Sequence, residues 1–263
     1  MENLRAQKIA VTGKGGVGKS TMTAALALLT ARNGQKVLAI DADPDANLAS
    51  ALGIPIESQK RIVTIAAQKR LIEERTGAKV QQYGQIFKLN PEVKDIAGTY
   101  AYHHQGIDLL ILGAIQSGGS GCACPENVLL KALVQDLVLH RGEILFMDME
   151  PGIEHLGRAT ARGVTSFIVV VEPGVRSIET YKRIASFASD IGIKNIKVIA
   201  NKIRSLSDES LIRRALHATE IIGFIPYSEA ILDNDRDGKS AIDNLDDNLL
   251  GLFADIAQKL QLK

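Results

Sequence analysis

The chain has 263 residues, with 31 Lys and Arg against 30 Asp and Glu, a net charge of +1 and 46% apolar residues. A chain of this length and apolar content can bury a large core without disulfides, and its composition excludes a disordered protein. The near-neutral charge argues against a non-specific polyanion binder, so no nucleic-acid partner is expected. The N-terminal stretch 1–8 lacks the apolar segment of a signal peptide, and other apolar runs are too short to span a membrane. We therefore expect a cytoplasmic protein that does not bind membranes.

Short apolar or β-branched runs alternate with longer helical patterns along the chain, without repeats or linkers. Strands are predicted at residues 8–13, 36–41, 106–113, 143–149, 166–172, 195–201 and 220–224. Helices are predicted at residues 18–33, 62–75, 125–140, 176–191, 208–218 and 243–261, and residues 53–105 have the weakest pattern. Apolar strands that alternate with helices predict a mostly parallel sheet of about seven or eight strands with helices on both faces. The expected architecture is a single three-layer α/β/α domain over residues 1–263, which binds its ligand at the carboxyl ends of the strands.

The clearest motif follows the first predicted strand and opens the first predicted helix. Residues 13–21 read GKGGVGKST and satisfy the pattern G-x-x-x-x-G-K-[ST] of a phosphate-binding loop. Glycines let the backbone N–H groups turn around a phosphate, and the helix N-terminus adds a favourable dipole. In such a loop Lys19 reaches the β- and γ-phosphates and the Ser20 hydroxyl coordinates Mg²⁺. The motif predicts a P-loop NTPase fold whose nucleotide is bound by Gly13, Lys14, Gly15, Gly16, Val17, Gly18, Lys19, Ser20 and Thr21.

Two acidic segments follow strands that are predicted to end beside this loop. Residues 41–47, DADPDAN, follow the second strand, where acids can orient water or hold Mg²⁺. An apolar strand that ends in Asp148 matches a Walker B pattern, in which the acid binds Mg²⁺ through water, and Gly152 begins a segment expected to sense the γ-phosphate. The roles of Asp41 and Asp45 stay open at this point, since Asp45 can equally cap the following helix.

Cys122 and Cys124 are the only cysteines of the chain and form a C-x-C pair. A pair this close forms a disulfide only with strain. Because Pro125 suits the first position of a helix, both thiols lie at or before a helix N-terminus, where the dipole favours the metal-binding thiolate. Two thiolates are half of a four-sulfur site, which a two-fold axis completes when two subunits each give a pair. Such a site would be tetrahedral with Zn²⁺ and could become square-planar with Ni²⁺, while two buried structural thiols remain the alternative.

The loop sequence KGGVGKST, with its additional Lys14, resembles the deviant Walker A motif of a family of ATPases. That family includes the MinD and ParA partitioning ATPases, the nitrogenase iron protein and the CooC nickel-insertion ATPases. The resemblance implies that Lys14 reaches across a dimer interface and stabilises charge on the partner's transferred phosphoryl group. It also implies that Asp43 positions the attacking water. The catalytic residues would then be Lys14, Lys19 and Asp43, and the magnesium site would comprise Ser20, Asp43 and Asp148.

The same resemblance assigns the base of the nucleotide to the ends of two later strands. Asn201 would hydrogen-bond adenine, with Lys202 beside it, and the loop that contains Pro226 would cover the face of the base. An Asn amide can pair with both a donor and an acceptor, so ATP is favoured over GTP. A structural Asn that caps a turn is the alternative.

Three further runs narrow the resemblance to the CooC group: residues 118–131 with GGSGCACPENVLLK, residues 147–163, and residues 169–180 with VVVEPGVRSIET. The CooC group binds nickel at a C-x-C motif across an ATP-dependent dimer and serves nickel insertion into the active-site cluster of carbon monoxide dehydrogenase. The resemblance implies ATP and Mg²⁺ as cofactors and Ni²⁺ at Cys122 and Cys124, where Zn²⁺ may bind instead. It also implies a homodimer promoted by ATP and metal. The client would be carbon monoxide dehydrogenase or acetyl-CoA synthase, which the sequence does not separate.

Two other members of the ATPase family give alternative functions. A MinD-type positioning ATPase would carry an amphipathic basic helix for membrane binding, but residues 243–263 combine a basic end with four aspartates. An electron carrier like the nitrogenase iron protein would hold its cluster with cysteines from two segments, and residues 147–152 contain none. Both alternatives therefore fit the sequence less well than nickel insertion.

Overall fold

A central sheet organises the computed structural model, which describes residues 7–80, 82, 84–113, 125–140, 143–150 and 164–262, with only the backbone described at 127 and 134–140. The strands within these residues are β1 Lys8–Gly13, β2 Val37–Asp41, β3 Tyr102–His104, β4 Ile107–Ile111, β5 Ile144–Asp148, β6 Ser166–Val171, β7 Ile196–Ile203 and β8 Ile221–Pro226. Their order across the sheet is β3-β4-β2-β5-β1-β6-β7-β8. Neighbouring strands are parallel, except that β3 pairs antiparallel with β4. This confirms the predicted α/β fold with a mostly parallel sheet.

Helices cover both faces of the sheet. They are α1 Lys19–Arg32, α2 Leu48–Ala51, α3 Ile56–Gln59, α4 Lys69–Thr76, α5 Ile96–Tyr100, α6 Pro125–His140, α7 Val175–Asp190, α8 Leu206–Ala215, α9 Glu229–Arg236 and α10 Asp247–Lys259, with a 3₁₀ turn at Ile65–Ala67. Successive residues of β1 belong to different apolar clusters, one on each face of the sheet. Ala10 packs in the cluster that includes residues of α4, α6 and α7, whereas Ile9 and Val11 pack in the cluster that includes residues of α1 and α10. Every residue of β1, β2 and β5 is buried, as expected of strands covered on both faces. None of the described helices has the length and apolarity needed to cross a membrane.

The seven predicted strands and most predicted helices are confirmed, and β1 and α6 have the predicted bounds. The helix predicted at 62–75 is wrong in its first half, because α4 begins only at Lys69, after the 3₁₀ turn. Five elements of the structure were not predicted from the sequence: β3, α2, α3, α5 and α9. The first four are three to five residues long, too short to produce a periodic pattern. The fifth, α9, begins after Ser228, whose hydroxyl accepts a hydrogen bond from Ile231 N, an N-cap signal that the sequence does contain.

The strand order brings the predicted site together. Strand β1 leads into the phosphate loop and lies between β5 and β6, while β2 lies on the other side of β5. In the parallel register Asp41, the last residue of β2, is opposite Asp148, the last residue of β5. Both acidic segments therefore end at the same edge of the sheet as the loop.

Candidate nucleotide-binding site

The phosphate loop is packed tightly against the ends of β6 and β7. A Cβ added at Gly13, where φ is +150°, would lie 2.3 Å from the Val170 carbonyl oxygen. A Cβ at Gly18, where φ is +96°, would lie 2.5 Å from Asn201 Nδ2. Helix α1 begins at Lys19, within the last three residues of the motif, so its N-terminus faces the predicted phosphate position. Glycine is required at both positions by close approach as well as by backbone conformation.

Two consecutive residues of β7 hold two consecutive carbonyls of the loop. Asn201 Nδ2 donates to Val17 O at 2.8 Å, and Lys202 Nζ donates to Gly16 O at 2.6 Å. Lys202 adopts a left-handed backbone conformation with φ of +60°. The Asn201 side chain is buried, so the structure gives it a loop-anchoring contact that the sequence analysis did not predict. Its contact with adenine stays a prediction, as does the role of the exposed Pro226 at the end of β8.

Lys19 and Asp43 lie next to each other inside the site. Lys19 Nζ is 3.8 Å from Asp43 Oδ2, and the two side chains are only 8% and 15% exposed. The other carboxylate oxygen of Asp43 accepts a hydrogen bond from Asp45 N at 3.0 Å. Asp43 therefore has a fixed position beside the lysine that is predicted to bind the β- and γ-phosphates.

Asp148 is buried, and neither of its carboxylate oxygens accepts a hydrogen bond of standard geometry from the described residues. Burial raises the pKa of Asp148 to about 7, and the Ser20 hydroxyl beside it opposes that shift. Asp41 raises this pKa further, and Lys19 lowers it. An orphaned buried carboxylate beside a hydroxyl is an oxygen donor set suited to Mg²⁺ with its waters, so these residues fit the predicted magnesium site.

Asp41 is equally buried but has partners. Its Oδ2 accepts a hydrogen bond from Leu48 N at 2.9 Å, and its Oδ1 accepts one from Asp43 N at 3.2 Å. Burial raises the pKa of Asp41 to about 6, and these two backbone hydrogen bonds oppose the shift. The alternative that Asp45 caps the following helix is not observed, because the carboxylate of Asp41 occupies the first N–H of α2. Asp41 therefore positions the segment that carries Asp43.

Lys14, the additional lysine of the loop, has an intramolecular partner that the sequence analysis missed. Its Nζ donates to Glu172 Oε1 at 3.1 Å, while Lys202 Nζ lies 3.5 Å from Glu172 Oε2. Glu172 directly follows β6, within the run VVVEPG. The sequence signal that could have identified Glu172 was an acidic residue at the end of β6, the strand next to β1.

The C-x-C motif and Gly152 are the remaining predicted site residues. Cys122, Cys124 and Gly152 lie outside the described residues. Helix α6 begins at Pro125, as predicted, directly after the C-x-C motif. Within the described part of the chain, no group of three His, Cys, Asp or Glu side chains is arranged to hold a metal ion. The cysteine site therefore stays a prediction.

Similarity to known proteins extends over nearly the whole chain, since the family model for the CobQ/CobB/MinD/ParA nucleotide binding domain matches residues 8–241. The carbon monoxide dehydrogenase accessory protein CooC of Rhodospirillum rubrum is 45% identical over 236 residues, which cover 90% of this chain and 89% of that protein. An uncharacterised ATP-binding protein of Methanocaldococcus jannaschii is 43% identical over 235 residues, which cover 88% of this chain and 90% of that protein. Among solved structures, the MinD cell division protein of Aquifex aeolicus has a TM-score of 0.67 and 25% identity, and the match covers 98% of each chain.

Proposed function

Because the chain belongs to the CobQ/CobB/MinD/ParA nucleotide-binding family, and within it to the CooC-type ATPases, we propose that it is an ATP-driven nickel chaperone. Its client would be carbon monoxide dehydrogenase or acetyl-CoA synthase, with nickel delivered to the active-site cluster. The observation that carries this proposal is the 45% identity to a carbon monoxide dehydrogenase accessory protein in a chain that also has a C-x-C motif.

The described residues support a division of labour in ATP hydrolysis. Lys19 binds the β- and γ-phosphates, and Asp43, which lies 3.8 Å from Lys19 Nζ, orients the attacking water. Ser20 and the orphaned carboxylate of Asp148 would hold Mg²⁺. When bound, Mg²⁺ supplies positive charge to the β- and γ-phosphate oxygens. Lys14 extends to the nucleotide of a second subunit and stabilises the transferred phosphoryl group.

Nickel is the cargo in this proposal. ATP closes two subunits face to face, and closure brings the two Cys122 and Cys124 pairs together into a four-sulfur site. Hydrolysis opens the dimer and splits the site. Two thiolates bind a metal ion far less well than four, so opening releases nickel to the client. The position of the cysteine segment, between the phosphate loop and the strand that ends in Asp148, supports this coupling.

Equilibrium dialysis with the double variant Cys122→Ser/Cys124→Ser tests the cargo site. The unmodified chain with a non-hydrolysable ATP analogue is expected to bind one nickel ion per dimer. The double variant is expected to lose this binding while it retains nucleotide affinity, since neither cysteine belongs to the phosphate loop. Unchanged stoichiometric nickel binding by the variant would reject the site.

The alternatives predict different measurements. A MinD-type positioning ATPase would sediment with anionic vesicles when ATP is present, and an iron–sulfur carrier would be brown. The apolar residues of α10 speak against a membrane role for that helix, because Leu249, Phe253 and Ile256 are buried in the core. A colourless preparation that stays in the supernatant with vesicles is the expected result.

A further inference from the structure

The carboxylate of Glu172 lies between two lysines beside the phosphate loop. Glu172 Oε1 accepts a hydrogen bond from Lys14 Nζ at 3.1 Å, and Glu172 Oε2 lies 3.5 Å from Lys202 Nζ. The exposed fraction of the side chain is 37% for Lys14, 25% for Glu172 and 39% for Lys202. Each oxygen of Glu172 therefore has its own cation, and the cluster is only partly accessible to water.

The backbone fixes Glu172 more firmly than an ordinary surface residue. It follows β6 directly, and its N–H donates to the Ser177 hydroxyl at 3.0 Å, in the first turn of α7. Lys202 is fixed at its far end as well, because its ammonium donates to Gly16 O at 2.6 Å. By contrast, Lys14 has no described side-chain partner other than Glu172. Among the contacts of the described residues, the ammonium of Lys14 is therefore held by fewer partners than either of the other two charges.

We infer that Glu172 is a positioning residue that holds Lys14 within its own subunit, and that Lys202 alone neutralises Glu172 once Lys14 leaves. This inference rests on the proposed ATP-driven dimer, in which Lys14 crosses to the partner's phosphates. A partly buried carboxylate that loses its only cation is strongly disfavoured. Since Glu172 keeps Lys202 on its second oxygen, Lys14 can leave without creating an unpaired charge.

Loss of the Glu172 carboxylate should strengthen the dimer. In a Glu172→Gln variant no carboxylate balances the two ammonium groups, so Lys14 and Lys202 repel each other and Lys14 is more available to the partner. Each dimer contains two such lysines, so breaking the partly exposed Lys14–Glu172 ion pair changes the free energy of dimerisation twice, once in each subunit. We expect the dimer formed with an ATP analogue to have a dissociation constant roughly fivefold lower than that of the unmodified chain.

Analytical ultracentrifugation with Mg²⁺ and a saturating non-hydrolysable ATP analogue measures this dissociation constant, with and without nickel. The same measurement at low and high salt separates an electrostatic role of Glu172 from a purely structural one. Because salt screens an ion pair, the dissociation constants of the variant and of the unmodified chain should become equal at high salt. Glu209→Gln is the matched control. Glu209 also pairs with a basic residue, Arg213, at 3.4 Å and is 32% exposed, but it lies on α8, outside the loop. It should leave the dissociation constant unchanged.

A second pair of variants tests the part played by Lys202. Lys202→Gln leaves Glu172 unpaired when Lys14 departs, so the dimer should weaken severalfold. In the double variant Glu172→Gln/Lys202→Gln no carboxylate remains to be neutralised, and dimerisation should return to at least the unmodified level. If the double variant is as weak as Lys202→Gln, then Lys202 acts only through Gly16 O and the second half of the inference is wrong.

Failure of this inference and failure of the proposed function give different results. A dimer of the unmodified chain that is lost in Lys14→Gln, together with an unchanged or weaker dimer in a stably folded Glu172→Gln, overturns the positioning role alone. An unmodified chain that stays monomeric with the ATP analogue and nickel overturns the proposed dimer itself. A Lys14→Gln variant that dimerises and hydrolyses ATP normally overturns the role of Lys14 across the interface, on which the inference rests.

Discussion

Asp41 and Asp148 end the neighbouring strands β2 and β5 in register with each other, yet their surroundings differ. Both are buried, but Asp41 accepts hydrogen bonds from two backbone N–H groups, whereas Asp148 accepts none of standard geometry from described residues. A buried polar group without a partner destabilises a fold unless a ligand supplies the partner. The comparison therefore distinguishes an aspartate that builds the site from one that is available to a ligand.

The largest expected effect is on catalysis at Asp148. The variant Asp148→Asn keeps the shape of the side chain but removes the charge proposed to hold Mg²⁺, so ATP hydrolysis should fall by at least about 100-fold. Because burial already disfavours the charged form, the free energy of unfolding of the nucleotide-free chain should not fall at pH 8. Steady-state phosphate release and urea denaturation measure the two quantities. Normal hydrolysis by this variant would remove Asp148 from the magnesium site.

Asp41 should respond in the opposite way. In Asp41→Asn an amide group replaces one of the two acceptor oxygens and faces a backbone N–H. At pH 5, where burial leaves Asp41 largely uncharged, the free energy of unfolding should therefore fall by about 2–3 kcal/mol. Urea denaturation measures this loss. Asp45→Asn is the control, since Asp45 is exposed, and it should change stability by less than about 0.5 kcal/mol. Equal effects at Asp41 and Asp45 would contradict the role of Asp41 as the acceptor for the first N–H of α2.

Proton binding gives a third way to examine the two aspartates. Burial raises the pKa of Asp41 to about 6 and that of Asp148 to about 7, both above the value of 3.8 expected in the unfolded chain. At pH values between 3.8 and about 7, the folded nucleotide-free chain therefore binds more protons than the unfolded chain. Its stability should be greatest at low pH within this window and should fall as the pH rises through about 6 and about 7. Asp148→Asn should flatten the upper part of this slope, as thermal unfolding at several pH values would reveal.

The sequence predicted the parts of this site that a contiguous motif encodes. The phosphate loop and Asp148 could be identified because each follows an apolar strand whose position is itself predictable. The role of Asp41 could not be chosen from the sequence, because its partner Leu48 lies seven residues away across a turn. Glu172 was missed for a similar reason, since its ion pair with Lys14 joins residues 158 positions apart. Such contacts depend on which strands become neighbours, and the strand order is not written in any local pattern.

Asn201 resembles Asp41 in having a backbone hydrogen-bond partner, but its partner is a carbonyl of the phosphate loop itself. Its amide donates to Val17 O, so Asn201→Ala should loosen the phosphate loop and weaken nucleotide binding by about tenfold. Asn195 is the matched control: it precedes the same strand at the opposite end and likewise donates to a backbone carbonyl, Thr165 O, at 2.7 Å. Asn195→Ala should therefore lower stability slightly without changing nucleotide affinity, measured by titration with a fluorescent ADP analogue. If Asn201→Ala weakens ATP and GTP binding equally, Asn201 acts through the loop alone, whereas a selective loss of ATP binding would support the predicted contact with adenine.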